Sequence, residues 1–393
     1  MKTNKLIIPL ITGALFAAAA NTRADVDITL TGSTAFRAQV WSRIYSLFDG
    51  GSAGTTIMPA GTATNGSVAV ATVNGTMTAL CGAGVPVHIR YAWNGSAAGL
   101  QALDSGIALT TKDPTFGTNV TTTVADIAFA DNFPQSCVPP ISASHFTSDQ
   151  QVGMPIFAFV KNNGPGMSTV TNITKELAWV LYNSGATVPS SVFGGTDSNP
   201  VYLVGRDNGS GTRITVMKDT SFTSTPIQFG TNGAGALVLA STLAQAGTSP
   251  FGTATTSGVF AGKDGYDGGG SVMNVVASPS VVGNNIIGYA GLKDALSKPS
   301  LASLLNYQGM FPSVATASSG AYPLFGFEHT YMKSSASDAN KIAVFNALVA
   351  ALQDAAYQQT SEYKQYNIPQ ADAVFTRGSA DGGQYVTGPG ASF

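Results

Sequence analysis

Charged side chains are scarce in this sequence. Asp, Glu, Lys and Arg make up 10% of its 393 residues, whereas ordinary globular proteins have about 25%. The 19 basic residues do not outnumber the 21 acidic ones. Because nucleic acids and anionic membrane surfaces are bound by a concentrated basic face, we expect neither as a partner. An anion would have to be held by local hydrogen-bond donors.

Histidine and cysteine are nearly absent, with three and two copies. The sequence has no HExxH or CxxC motif, and His88, His145 and His329 lie in no catalytic-looking context. A serine nucleophile needs a base beside it, so we expect no enzyme, no metal and no cofactor. Cys81 and Cys137 are predicted to form one disulfide in an oxidising compartment. Two buried free thiols are the alternative.

The apolar run at the N-terminus is too short to span a bilayer comfortably. It extends from Leu6 to Ala20, whereas about 20 residues are needed. Lys2 and Lys5 precede it and a short polar stretch follows, which predicts a signal peptide over residues 1–24 with cleavage after Ala24. Earlier cleavage within the alanine-rich stretch and an uncleaved anchor are the alternatives.

Removal of this segment leaves 16 basic and 21 acidic residues, a net charge of −5. No cysteine lies near the cleavage region, so a lipid anchor is not expected. The sequence predicts a periplasmic or secreted protein that does not insert into the membrane once its signal peptide is removed.

Strand-like and helix-like patterns alternate along the rest of the chain. The strand-like segments are Asp27–Thr31, Val87–Tyr91, Ile127–Ala130, Val152–Val160, Val201–Val204 and Ile286–Tyr289. The helix-like segments are Ala35–Phe48, Ala97–Leu103, Ile173–Tyr182, Arg213–Met217 and Ala339–Tyr357. This alternation predicts α/β sheets with mostly parallel strands. A length that exceeds what one core usually serves predicts two lobes. Residues 50–86 and 107–125 are predicted loops or β-hairpins inserted into this plan.

A glycine-rich turn, Arg206–Arg213, follows a predicted strand and opens a predicted helix. The N-terminus of a helix presents unpaired N–H groups and the positive end of its dipole. The fork of Arg206 matches an oxyanion, and Ser and Thr hydroxyls add donors. The turn is therefore a candidate anion cradle. The alternative is an ordinary Asn-Gly turn with a Ser or Thr N-cap.

Two further strand-to-helix turns have the same chemistry: Gly32-Ser33-Thr34 and Gly95-Ser96-Ala97. Each by itself could be a simple helix cap. Three such turns in one chain favour a cleft in which several helix N-termini converge on one small oxyanion.

These turns belong to an ordered set of motifs. The set is Leu30–Phe36, Gly95–Gly99, Asp126–Asp131, Arg206–Thr212, Ile287–Tyr289 and Gly320–Leu324. In this order they resemble the periplasmic phosphate-binding proteins of ABC importers. The resemblance implies the two-lobed type II periplasmic-binding-protein fold (Venus flytrap), here with β-rich insertions. It divides the chain into lobe 1, from residues 25–153 and about 296–393, and lobe 2, from residues 154–295.

The resemblance also implies which residues hold the oxyanion. They are Ser33, Thr34, Ala35, Ser96, Asp131, Arg206, Ser210, Gly211 and Thr212. In this scheme Asp131 selects phosphate, because a carboxylate accepts a hydrogen bond from a protonated phosphate oxygen but repels sulfate. Capping of the following segment is the alternative role of Asp131. Asn208 departs from the family, which usually has Asp at this position beside its Arg.

The function implied is the capture of inorganic phosphate or a related oxyanion by a monomer that delivers it to an ABC permease complex. Two other functions remain open from the sequence. A secreted surface or matrix interaction protein could reuse the fold, since the composition is rich in Gly, Ser, Thr and Asn. A secreted phosphatase could also share it.

Overall fold

The computed structural model describes residues 24–60, 68–115, 119–147, 149–243, 264–374 and 381–382. The predicted signal peptide lies outside these residues except for Ala24. The helices described include none with the length and apolar character that crossing a bilayer requires.

The described chain alternates between strands and helices. Its strands are β1 (Val26–Gly32), β2 (Thr56–Met58), β3 (Val70–Thr76), β4 (Pro86–Ala92), β5 (Ala108–Lys112), β6 (Val120–Val124), β7 (Ile127–Ala130), β8 (Gln150–Gly153), β9 (Phe157–Asn162), β10 (Asn172–Ile173), β11 (Val201–Val204), β12 (Phe229–Thr231), β13 (Leu237–Leu239), β14 (Asn285–Gly291), β15 (Ala302–Leu304), β16 (Asn306–Tyr307) and β17 (Glu328–Met332). Its α-helices are α1 (Arg37–Tyr45), α2 (Thr78–Cys81), α3 (Ser96–Ser105), α4 (Lys175–Asn183), α5 (Gly211–Asp219), α6 (Gly269–Val276), α7 (Leu292–Ala295), α8 (Val314–Ser318), α9 (Ala339–Gln353), α10 (Ala355–Gln358) and α11 (Ser361–Lys364).

The first sheet has the strand order β2-β3-β4-β1-β7-β17-β8. Since side chains alternate between the faces of a strand, this sheet carries an apolar core on each face. Ile127 and Phe129 of β7 belong to the core that includes α1 and α9, whereas Ala128 and Ala130 belong to the core that includes α3. The sheet is thus covered by helices on both sides.

The second sheet has the order β11-β14-β9-β15. Its strands share a third core with the apolar residues of α4 and α6. The chain passes from the first sheet to the second between β8 and β9. It returns with β17, after β15 has paired with β9.

Three sequence expectations differ from this topology. Val152–Val160 is divided between β8 and β9, so one apolar run serves two sheets. The strands are less parallel than expected: β1 is parallel to β4 and β7, but β3 and β17 join the same sheet antiparallel. The second sheet also continues past residue 295, because β15 (Ala302–Leu304) belongs to it.

The two β-rich insertions have different structures. Within residues 50–86, β2 and β3 extend the first sheet beyond β4 as antiparallel strands. Within residues 107–125, β5 and β6 form a separate antiparallel hairpin. Both insertions therefore contain antiparallel strand pairs, which is one of the two structures that their composition predicted.

The predicted disulfide between Cys81 and Cys137 is wrong, since both thiols are free and buried. Cys81 belongs to the core on the α1 and α9 face of the first sheet, and Cys137 to the core on the α3 face. A disulfide needs Cα atoms no more than about 7 Å apart. Residues that pack on opposite faces of a sheet do not meet this condition.

Candidate functional site

The three predicted anion turns lie at the carboxyl ends of strands, two in the first sheet and one in the second. Gly32 ends β1, Ser96 opens α3 after β4, and Arg206 follows β11. Asp131 directly follows β7, which pairs with β1. Ligands of open α/β sheets bind outside the carboxyl ends of their strands, so each of these residues lies where its own sheet is expected to bind a ligand.

Backbone hydrogen bonds join the three turns. The N–H of Gly95 donates to the carbonyl of Gly32 at 2.9 Å, and the N–H of Ala98 donates to the carbonyl of Gly209 at 3.1 Å. A Cβ atom on Gly99 would lie 2.4 Å from the Cα atom of Gly32. Glycine at this position therefore lets α3 approach the end of β1 closely.

Asp131 is the centre of the first group of side chains. The Ser96 hydroxyl donates to its Oδ1 at 2.5 Å, and the Thr212 hydroxyl donates to its Oδ2 at 3.3 Å. The Thr215 hydroxyl donates to its backbone carbonyl at 3.3 Å. A Cβ atom on Gly211 would lie 1.7 Å from Oδ1. The helices α3 and α5 thus both begin against this carboxyl group.

Arg206 is the centre of the second group, and its side chain is fully buried. Nη2 donates to the Thr34 hydroxyl at 3.1 Å and to the carbonyl of Asp267 at 2.7 Å, while Nε donates to the carbonyl of Tyr266 at 3.2 Å. Backbone carbonyls therefore position the guanidinium.

The other predicted site residues have contacts of their own. The Ser33 hydroxyl donates to Glu328 at 2.9 Å. The Ser210 hydroxyl accepts from the N–H of Arg213 at 3.2 Å and thereby caps α5. A Cβ atom on Gly291 would lie 3.2 Å from the Cβ atom of Ala35, which has no polar side-chain atom to contribute. The structure thus brings together Ser96, Asp131, Gly211 and Thr212 in one group, and Thr34 and Arg206 in another.

Burial dominates the electrostatics of these carboxyl groups. It raises the pKa of Asp131, although the Ser96 hydrogen bond and the Arg206 charge lower it. Burial likewise raises the pKa of Asp207 to about 7, against the opposing charge of Arg206. Asp267 has a raised pKa for the same reason. The charge of Arg206 opposes each of these shifts, because a nearby positive charge favours the ionised carboxylate.

Sequence reasoning missed two kinds of residue here. Glu328 and Asp267 contribute buried acidic groups, and Tyr289 accepts from the N–H of Arg206 at 3.3 Å. Glu328 had a signal, because it interrupts an otherwise apolar and aromatic stretch at the start of β17. Among the described residues, no group of three or more His, Cys, Asp or Glu side chains could hold a metal ion.

Comparison with known proteins finds similarity at the level of structure. No family model and no curated protein sequence matches this chain. A solved phosphate ABC transporter substrate-binding protein from Clostridium perfringens, with bound phosphate, matches with a TM-score of 0.50 and 13% identity, over 87% of this chain and 99% of that chain. A solved DING protein matches with a TM-score of 0.50 and 14% identity, over 91% and 96% of the two chains. This chain therefore has the two-lobed α/β fold of the type II periplasmic binding proteins.

Proposed function

We propose that this protein binds a small oxyanion, with inorganic phosphate as the first candidate, and delivers it to an ABC permease complex. The observation that carries the proposal is the buried Arg206 guanidinium at 3.1 Å from the Thr34 hydroxyl, beside the group formed by Ser96, Asp131 and Thr212. Charge-assisted hydrogen bonds from a buried arginine are among the strongest available to an oxyanion. The protein acts by binding rather than by catalysis.

The anion would exchange with hydrogen bonds that the site now makes internally. Thr34, Ser96 and Thr212 each use a hydroxyl on a neighbouring site residue. An oxyanion that enters accepts from these hydroxyls, from Arg206 and from the N–H groups at the starts of α3 and α5. Asp131 then accepts from a protonated oxygen of the ligand, which sulfate does not offer.

The signal peptide over residues 1–24 would direct the chain to the periplasm or out of the cell. We infer that the protein works there as a monomer, with lobe 1 and lobe 2 contributing to the site from the two sheets. Ser33, Ala35, Ser210 and Gly211 complete the proposed set of ligand contacts.

Removal of the Arg206 guanidinium tests the oxyanion site. We expect Arg206→Ala to weaken phosphate binding at least tenfold, because a charge-assisted hydrogen bond contributes about 1.5–3 kcal/mol and about 1.4 kcal/mol corresponds to tenfold. Isothermal titration calorimetry with phosphate measures the change. Lys298→Ala removes an exposed cation elsewhere and should leave the affinity unchanged. If wild type binds no oxyanion, the interaction-protein hypothesis takes precedence.

Asp131→Asn tests the selection of phosphate over sulfate. The amide no longer repels an unprotonated anion and still fits between Ser96 and Thr212. We therefore expect the ratio of phosphate to sulfate affinity to fall more than the phosphate affinity itself. Parallel titrations with both anions measure this ratio. An unchanged ratio would mean that Asp131 only organises the two helix starts.

A further inference from the structure

Glu328 is a buried acid that contacts Ser33, one of the proposed site residues. It is the first residue of β17, it lies opposite Gly153 of β8, and its side chain is inaccessible to solvent. Its Oε2 accepts from the Ser33 hydroxyl at 2.9 Å. Its Oε1 is buried and has no hydrogen-bond partner among the described residues. An ionised carboxylate in this position would be poorly compensated.

The groups around Glu328 do not favour its negative charge. Burial raises its pKa well above the ordinary value, and the nearby charge of Asp131 raises it further, against the hydrogen bond from Ser33. Tyr331 and Tyr363 are the other titratable groups whose pKa values the charge of Glu328 affects. The ion pairs of the described residues include none with Glu328.

We propose that Glu328 takes up a proton when the site binds its oxyanion, and that Ser33 is the contact between the two. This inference rests on the oxyanion-binding function proposed above. The Ser33 oxygen already accepts from the N–H of Phe36 at 3.3 Å. A protonated Glu328 donates to the same oxygen, so the Ser33 hydroxyl hydrogen is free for the anion. An ionised Glu328 takes that hydrogen for itself.

The direction of the pH effect follows from linkage. A bound anion adds negative charge near Glu328 and raises its pKa above that of the free protein. The complex therefore takes up a proton from solvent between these two pKa values. In that range affinity falls by up to about tenfold per pH unit as the pH rises, and above it the affinity no longer depends on this group.

Glu328→Gln is the matched variant for this test. The Gln amide donates to the Ser33 oxygen as a protonated carboxyl does, but it does not titrate. Calorimetry with inorganic phosphate, in buffers of different ionisation enthalpy, measures affinity and proton uptake of both proteins. Phosphate and Asp131 titrate in both the wild type and the variant, so the comparison isolates the contribution of Glu328. We expect the wild type to take up more protons per phosphate, and the variant to bind at least tenfold more tightly at alkaline pH. Equal proton uptake and equal pH dependence would overturn the inference.

A second measurement on the wild type does not depend on folding of the variant. The chain has only three glutamates, Glu176, Glu328 and Glu362, and Glu176 and Glu362 are exposed. Carboxyl-carbon NMR of protein labelled with carbon-13 glutamate therefore resolves the buried one. We expect its titration to move to higher pH when phosphate is added. If phosphate binds but does not shift this titration, the inference about Glu328 is overturned and the proposed function is not. If phosphate does not bind at any pH, both are overturned.

Discussion

At the scale of single residues, Gly211 shows how closely the site is packed. It is the first residue of α5, and its Cα lies against the buried Asp131 carboxyl. Asp131 is held in turn by Ser96 and by Thr215, so it has little freedom to withdraw. A side chain at position 211 would have to displace the start of the helix.

Gly211→Ala is therefore expected to damage both stability and binding. Overpacking a fixed interior typically costs about 1–3 kcal/mol, and the displaced helix start should lower phosphate affinity at least tenfold. Urea unfolding and calorimetry measure the two effects. Gly283→Ala is the matched control, since a Cβ atom there has no heavy atom within 4 Å. Equal stability of the two variants would contradict the packing described here.

At the scale of elements, the first sheet brings some residues together and keeps others apart. It aligns the ends of β1, β4 and β7 so that their turns meet at one edge. The same sheet keeps Cys81, in α2, away from Cys137, because each packs on a different face. Both thiols have raised pKa values because of burial, and that of Cys137 is raised to about 12.

We expect two free thiols per chain and slow reaction of both in the native state, because the thiolate is the reactive form. Titration with a coloured disulfide reagent, without reductant, should detect both thiols only after denaturation. The same protein treated first with reductant should give the same count. A lower count in the untreated protein would indicate a disulfide and contradict the separation of the faces.

At the scale of the whole molecule, buried acids make stability depend on pH. Burial raises the pKa of each of them, and that of Asp207 rises from 3.8 to about 7. Between these values the native state holds a proton on Asp207 that the unfolded state has lost. Stability contributed by this proton is complete below the unfolded pKa and is lost as pH rises through the folded one.

Asp207→Asn should remove this loss, because the amide is neutral at every pH and its oxygen can still accept from the N–H of Gly209. Between about pH 4 and pH 7 the free energy of unfolding of the wild type should fall relative to the variant, by at most about 1.4 kcal/mol per pH unit. Urea titrations at several pH values measure it. Asp25→Asn, at an exposed residue, should follow the wild type. If the free energies of unfolding of Asp207→Asn and of the wild type changed with pH in parallel, the pKa shift assigned to Asp207 would be refuted.

The elements around the site could be predicted because their signals are local. Gly32-Ser33-Thr34 and the turn from Arg206 each lie where an apolar strand gives way to helical spacing, and that order appears in a single stretch of sequence. The paired insertions were predictable from composition for the same reason. The division of Val152–Val160 was not, because a strand buried in either sheet has the same apolar pattern.

Contacts between residues far apart in the chain could not be predicted from the sequence. Ser33 and Glu328 are 295 positions apart, and no periodicity relates a turn after β1 to the first residue of β17. The cysteine pairing could not be predicted either, because the face on which each cysteine packs depends on the strand order of the sheet. The family resemblance supplied the candidate ligand residues but not their internal hydrogen bonds.

Strand β17 lies between β7 and β8, although it is made long after both. During synthesis from the N-terminus, the facing edges of β7 and β8 have no strand between them until residue 332 has emerged. Long-range pairing of this kind is slow to form. The first sheet of the nascent chain therefore cannot be completed until β17, the last strand among the described residues, has been made.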